Sequence, residues 1–394
     1  MHASLRPARQ AMVFCLAAMF PSMLIAQLTT EVLEVNGQSR TYLQYLPEGF
    51  DVAEQLPLMM CFHGGSGTAE GQLYTGDLRD KADEDRFVLV YPQALPDPND
   101  GGSTNWQVVT SGELPFTEPN PHSDIDFVSN LIDAMQLLHN VDPSRIYAMG
   151  YSNGGGFVYD LACRLNDKVT GVGAVARTMY AESYANCDVN HPTPIVTILG
   201  TNDFSSSYDG ITYAGTLYYH SSDAGNDLWI DLNGLQATAQ VTALDDTNPA
   251  DGSTVELYEW TDDAGCRELA HYKVVGGDHD WPGSFGNMDI VSHEVIWDRL
   301  KAFNMEGRIS CGTAGAEEPS LSTWRVWPNP TTDALVIDWG GFHADEDYAV
   351  FNASGQCVMS GTVPMGSRPL DVGQLRPGLH WIRIAGTARA FLVE

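Results

Sequence analysis

Charge is scarce in this chain, and positive charge is scarcer still. Of 394 residues only 18% are charged, and 20 Lys and Arg face 51 Asp and Glu, a formal net charge of −31. A surface of that sign repels nucleic acid and anionic polymers and keeps a chain in solution, which excludes nucleic acid as a partner. Cysteines are few and far apart: Cys61, Cys163, Cys187, Cys266, Cys311 and Cys357 follow Cys15. Their spacing fits neither a zinc site nor a dense disulfide scaffold, and no metal is expected. Internal repeats and low-complexity tracts are missing, so a solenoid is excluded. No apolar run after residue 26 is long enough to cross a bilayer, so no transmembrane segment is expected in the mature chain.

The opening residues, MHASLRPARQAMVFCLAAMFPSMLIA (1–26), combine a basic start at Arg6 and Arg9 with a short apolar stretch and small residues near Ala26. That is the pattern of a secretory signal peptide, with the mature chain beginning at Gln27. Pro21 and Ser22 break the apolar stretch, which disfavours a membrane anchor. Export to an oxidising compartment makes Cys163 with Cys187, and Cys266 with Cys311, the expected disulfides. Cys61, inside an apolar run, is expected to be a buried thiol.

Between residues 27 and 310 strand-like and helix-like stretches alternate. LPLMMCF (56–62) and FVLVYP (87–92) are nearly continuous apolar runs, as for strands buried on both faces of a parallel sheet. Residues 123–140 are helical in period, with Ser123 as N-cap. A strand over 145–152, a helix over 153–165, and strands over 169–176 and 194–200 follow. A polar insertion (205–253) precedes strands over 254–260 and 270–277 and a closing helix over 288–303. This alternation predicts an α/β domain with a mostly parallel sheet. Residues 311–322 read as a linker, and residues 323–394 as a small all-β sandwich of short strands with Gly and Pro turns.

GYSNG (150–154) fits the G-x-S-x-G turn that lifts a serine between a strand and a helix. A hydroxyl needs a base to become a nucleophile and an acid to orient that base. His279 alone among the histidines lies in a glycine-rich loop directly after a late strand, in GGDHDWPG. Asp203 ends an apolar strand between serine and histidine. Ser152, Asp203 and His279 therefore form the expected catalytic triad, in the chain order such triads take on a sheet of this kind. Donors for the developing oxyanion are expected from the backbone of the HGGSG loop (Gly64, Gly65, Ser66) and from Asn153. His63 is expected to brace that loop. Trp106 and Trp281 are candidates for lining the substrate cleft.

In sequence order, HGGSGTA, NW (105–106), DIDFVSNLID, GYSNGG, LAC, GTND and GGDHDWPG resemble the secreted poly(3-hydroxybutyrate) depolymerase family and the related feruloyl and acetylxylan esterases. The resemblance covers about residues 28–305. It implies an α/β-hydrolase fold, a serine carboxyl-ester hydrolase working through an acyl-enzyme on a polymeric or polysaccharide-linked ester, and no cofactor. Ser152, Asp203 and His279 fall on the family's triad positions. Asp278 departs from the glycine that relatives carry before the histidine, and a carboxylate there is expected to favour charged His279. A serine peptidase of the same fold would use the same triad, but usually with a propeller or large cap. A catalytically idle surface-binding protein is disfavoured by the complete set of catalytic parts.

The last segment, with WPNPTTDALVID, VFNASGQCVMSG, LDVGQLRPGLHWIRI and the ending FLVE, is similar to the type A sorting domain of the type IX secretion system. That resemblance implies export across the outer membrane by this machinery, then removal of the domain or attachment at the cell surface. A carbohydrate-binding or adhesive sandwich is the alternative.

Overall fold

The structure, a computed structural model, describes residues 27–107, 121–311, 324–327, 330–339, 346–352, 357–363, 368–384 and 387–393. The signal peptide expected over 1–26 and all but Cys311 of the linker expected over 311–322 lie outside the described residues.

Ten strands form one sheet: β1 (Leu28–Val35), β2 (Gln38–Tyr45), β3 (Leu56–Phe62), β4 (Val88–Pro92), β5 (Val141–Tyr151), β6 (Gly171–Val175), β7 (Ile195–Gly200), β8 (Gln240–Ala243), β9 (Thr254–Thr261) and β10 (Glu268–Val275). Their spatial order is β1-β2-β4-β3-β5-β6-β7-β10-β9-β8. The six from β4 to β10 run parallel, and the antiparallel strands lie outside them. Order and sense are those of an α/β-hydrolase.

Successive residues of β3 point to opposite faces, and each face has its own core. Leu58, Met60 and Phe62 pack with Phe127 of α3 (Asp124–His139), Phe157 of α4 (Asn153–Arg164) and Trp229 of α6 (Ser222–Asn233). Met59 and Cys61 pack with Leu73 of α1 (Ala69–Thr75), Ala82 of α2 (Arg79–Asp85) and Trp297 of α7 (Ser292–Leu300). Every residue of β3 and β4 is buried, which explains why these strands carry apolar runs rather than alternation. Helix α5 (Ala181–Ala185) follows β6.

Two disulfides join the expected pairs, Cys163–Cys187 and Cys266–Cys311. Cys61 is a buried thiol, as expected. The expected closing helix over 288–303 is shorter, because the chain before it is held by side chains instead. The Asp289 carboxylate accepts from the Thr247 and Asn248 amides, and the Met288 amide donates to Asp251. Ser123 stands at the cap of α3 but makes no side-chain capping bond. Within the polar insertion lie a hairpin (Ile211–Tyr213 with Thr216–Tyr219), helix α6 and the edge strand β8.

The C-terminal strands form one three-stranded and one four-stranded antiparallel sheet. Leu335 and Ile337 of the first share a buried cluster with Val350, Ile382, Ile384 and Phe391 of the second. That is the sandwich the sequence predicts.

Candidate active site

The carboxyl ends of β5, β7 and β10 deliver three side chains to one rim of the sheet, where open α/β sheets place their ligands. Ser152 joins β5 to α4 with φ 50° and ψ −115°, a conformation few non-glycine residues adopt. The turn is possible only because its flanks have no side chains. A β-carbon on Gly150 would sit 2.3 Å from the Gly154 carbonyl oxygen, and one on Gly154 would sit 2.5 Å from the carbonyl oxygens of Phe62 and His63. The Ser152 amide donates to Val175 of β6 at 2.9 Å, tying the turn to the neighbouring strand.

His279 Nε2 lies 2.9 Å from Ser152 Oγ, and His279 Nδ1 lies 2.8 Å from Asp203 Oδ2. Asp203 holds its other oxygen, Oδ1, against the amides of Ser205 and Ser206 at 2.9 and 2.7 Å. With its carboxylate accepting on both sides and its side chain fully buried, Asp203 fixes Nδ1 as the donor and leaves Nε2 to accept from the serine hydroxyl. Tyr151 donates from its hydroxyl to the His279 carbonyl at 2.7 Å, anchoring the loop from behind. Asp278 is exposed, and its amide donates to Asp280. Burial foremost, then the charge of Asp278, pushes the Asp280 carboxyl above the ordinary range.

Beside the serine runs the loop after β3. His63 Nε2 accepts from the Ala94 amide, which leaves Nδ1 to donate to the Gly64 carbonyl at 2.7 Å. Burial lowers its pKa to about 4, so it stays neutral and braces the loop, as expected. The loop's amides divide into two groups. Ser66 N–H is already bound to the Thr104 carbonyl (3.1 Å) and to Asn105 Oδ1 (3.3 Å), so the expectation that it faces the oxyanion is corrected. The amides of Gly64, Gly65 and Asn153 have no partner among the described residues. A β-carbon on Gly64 would lie 3.5 Å from Ser152 Cβ, and one on Gly65 would lie 3.7 Å from Asn153 Cβ, so both glycines border the serine.

The two tryptophans do not line a cleft. Trp106 is 1% exposed, stacks on Phe157 and donates from Nε1 to the His63 carbonyl. Its amide donates to Asn153 Oδ1, so it positions the residue after the serine. Trp281 is fully buried and donates to His293 Nδ1. Both are packing residues with one satisfied polar edge, the usual arrangement for buried tryptophan.

Sequence reasoning missed Arg177. Its Nε donates to the Ser152 carbonyl at 3.0 Å, and its Nη2 lies 3.4 Å from Ser152 Oγ. The guanidinium lies over the rings of Tyr219 (4.9 Å) and Tyr180 (5.5 Å). The signal was present in AVARTMY, a cation immediately after an apolar strand whose end lies beside the serine turn.

Comparison with known proteins gives one family match and several relatives. Residues 325–392 match the family described as "Secretion system C-terminal sorting domain". The chain is similar to "Putative esterase NocK" of Nocardia uniformis subsp. tsuyamanensis, at 27% identity over 66% of this chain and 76% of that protein. It is similar to "Bifunctional acetylxylan esterase/xylanase XynS20E" of Neocallimastix patriciarum, at 24% identity over 71% of this chain and 36% of that protein. It is also similar to "Poly(3-hydroxyalkanoate) depolymerase C" of Paucimonas lemoignei, at 26% identity over 35% of this chain and 31% of that protein.

Proposed function

We propose that the chain is an exported serine carboxyl-ester hydrolase that works through an acyl-enzyme. The observation that carries this reading is the continuous relay from Asp203 through His279 to Ser152, at 2.8 and 2.9 Å, beside amides left without partners. Ser152 Oγ attacks the ester carbonyl carbon while its proton passes to His279 Nε2. The carbonyl oxygen takes up the negative charge and is held by the Asn153 amide with that of Gly64 or Gly65. The intermediate collapses, the C–O bond to the alcohol breaks, and His279 returns the proton to the leaving oxygen. Water, deprotonated by the same imidazole, attacks the acyl-enzyme and releases the acid. Asp203 holds the imidazole in the tautomer that both halves require.

The substrate is an ester, polymeric or polysaccharide-linked, with a hydroxyalkanoate polyester as the first reading. A feruloylated or acetylated polysaccharide is the second. The length of the match to the acetylxylan esterase, 71% of the chain against 35% for the depolymerase, favours that second reading. Export follows from the sorting domain: residues 1–26 act as a signal peptide, residues 27–310 form the esterase domain, and residues 323–394 engage the type IX machinery for release or surface attachment. Ser152→Ala tests the reaction. It is expected to abolish hydrolysis of p-nitrophenyl acetate and butyrate while the protein melts normally, and retained turnover overturns the assignment. Product analysis on polyhydroxybutyrate, methyl ferulate and acetylated xylan, side by side, separates the substrates.

A further inference from the structure

Among the described residues two arginines are buried, and one of the two has an ion-pair partner. Arg40 is bound to Asp124. Arg177, 8% exposed, forms no ion pair among the described residues. A guanidinium withdrawn from water without a carboxylate is costly, so something must favour keeping it there. Part of the compensation is visible in the Ser152 carbonyl and the faces of Tyr219 and Tyr180. The carboxylate whose charge acts on it is that of Asp203, which is already taken by His279 and two amides. The backbone is strained at the residue before it, where Ala176 has φ 52°. The head group points at the reacting oxygen, with Nη2 3.4 Å from Ser152 Oγ.

On the esterase reading above, we propose that Arg177 is a specificity-determining residue that receives a carboxylate carried by the substrate close to the scissile ester. The substrate class is then the free-acid end of an ester: a half-ester of a diacid, or an oligoester of hydroxy acids with its terminal carboxylate. A planar carboxylate fits the paired N–H groups of a guanidinium and supplies the missing charge. With 51 acidic residues against 20 basic ones, the surface as a whole repels such a substrate, so any preference for it must arise locally.

The test uses two substrate pairs in which one carboxyl is free or esterified, with rates taken per common ester bond: monoethyl against diethyl succinate, and the 3-hydroxybutyrate dimer acid against its methyl ester. The first pair puts the carboxylate on the acyl side, the second on the leaving side. The full-length enzyme is expected to favour the acid in at least one pair. Arg177→Gln is expected to lower kcat/KM for that acid about 10- to 100-fold more than for its neutral partner, mainly through KM. Arg177→Lys restores part of the preference. Preference for the neutral ester in both pairs overturns the proposal. So does an Arg177→Gln loss of equal size on all four esters, which is the mark of an arginine that only braces the serine turn. If the unaltered enzyme cleaves none of the four and matches Ser152→Ala on p-nitrophenyl esters, the esterase reading itself fails and this inference falls with it.

Discussion

His279 Nε2 stands 2.9 Å from Ser152 Oγ although 127 residues separate them. The contact exists because the loops after β5 and β10 end at the same rim, with β6 and β7 between them. Its chemistry depends on the third member. Replacing Asp203 by Asn keeps an oxygen for the Ser205 and Ser206 amides but puts an NH2 group opposite Nδ1. The imidazole then turns its acceptor toward residue 203 and its N–H toward the serine. Asp203→Asn is expected to lower kcat by about 10⁴-fold with a folded protein. Steady-state kinetics alongside a melting curve check this, and a loss under tenfold would contradict the tautomer argument.

The serine turn makes its own prediction. Gly154→Ala places a methyl group 2.5 Å from the carbonyl oxygens of Phe62 and His63, where β3 passes into the loop that carries Gly64 and Gly65. Backbone cannot step aside as a flexible side chain can, so loop and elbow must separate. The expected cost is about 1–3 kcal/mol in stability, together with a fall in kcat larger than that in Asn153→Ala. Denaturant melts and kinetics on a p-nitrophenyl ester measure both.

Much of this site was legible in the sequence, for a physical reason. A strained serine turn needs glycines at fixed offsets, and loops at strand ends need turn residues, so GYSNG, GTND and GGDHDWPG show in one dimension. Apolar strands such as LPLMMCF announce burial on both faces in the same way. What stayed hidden depends on direction rather than type. Ser66 and Gly64 look equivalent in HGGSG, but only the fold shows that the Ser66 amide is bound to Thr104. Trp281 follows the His279 loop in sequence and Trp106 stands in the NW pair, yet their rings turn into the two cores. Arg177 went unnoticed because its partners, Ser152 and Tyr219, lie 25 residues before it and 42 after it.

That inward turn of Trp106 can be measured. Trp106→Phe removes the N–H that satisfies the His63 carbonyl and leaves a buried acceptor unpaired. Stability is expected to fall by about 1–3 kcal/mol, with KM for a p-nitrophenyl ester changing less than twofold. A large rise in KM at unchanged stability would return Trp106 to the cleft.

Acid should unfold the protein through histidines that have no part in catalysis. Burial lowers His63 and His293 to about 4 and His271 to about 3. Two of these rings are also held neutral by geometry, since His293 Nδ1 accepts from Trp281 and His63 Nε2 accepts from Ala94. Unfolded histidine takes up a proton near pH 6.5, so the unfolded chain binds protons that the native state refuses. The stabilisation is complete above pH 6.5 and is lost as pH falls from there toward 4, by up to about 1.4 kcal/mol per pH unit for each ring. Urea melts at pH 7, 6 and 5 are expected to show this slope, and His293→Gln should flatten it. A midpoint constant from pH 7 to pH 5 would contradict the buried neutral state.

The cysteines separate by reactivity in a way that checks the fold and the compartment together. Burial pushes the Cys61 thiol well above its ordinary pKa, and β3 shields it from solvent on both sides of the sheet. A maleimide should therefore leave Cys61 untouched in the native protein and modify it only on unfolding, whereas exposed Cys357 reacts at once. The remaining four should react only after reduction, because they form Cys163–Cys187 and Cys266–Cys311. The first bond closes a loop spanning 24 positions and ties the last turn of α4, the helix that carries the serine turn at its start, to the segment after α5. Cys163→Ser with Cys187→Ser is expected to cost about 2–4 kcal/mol, chiefly by freeing the unfolded chain. Because the bond lies at the far end of the helix from Ser152, kcat at a temperature where the variant stays folded should be nearly unchanged. A large loss of turnover in that folded variant would mean that α4 relies on the disulfide, and not on β5 and β6, to hold the serine in place.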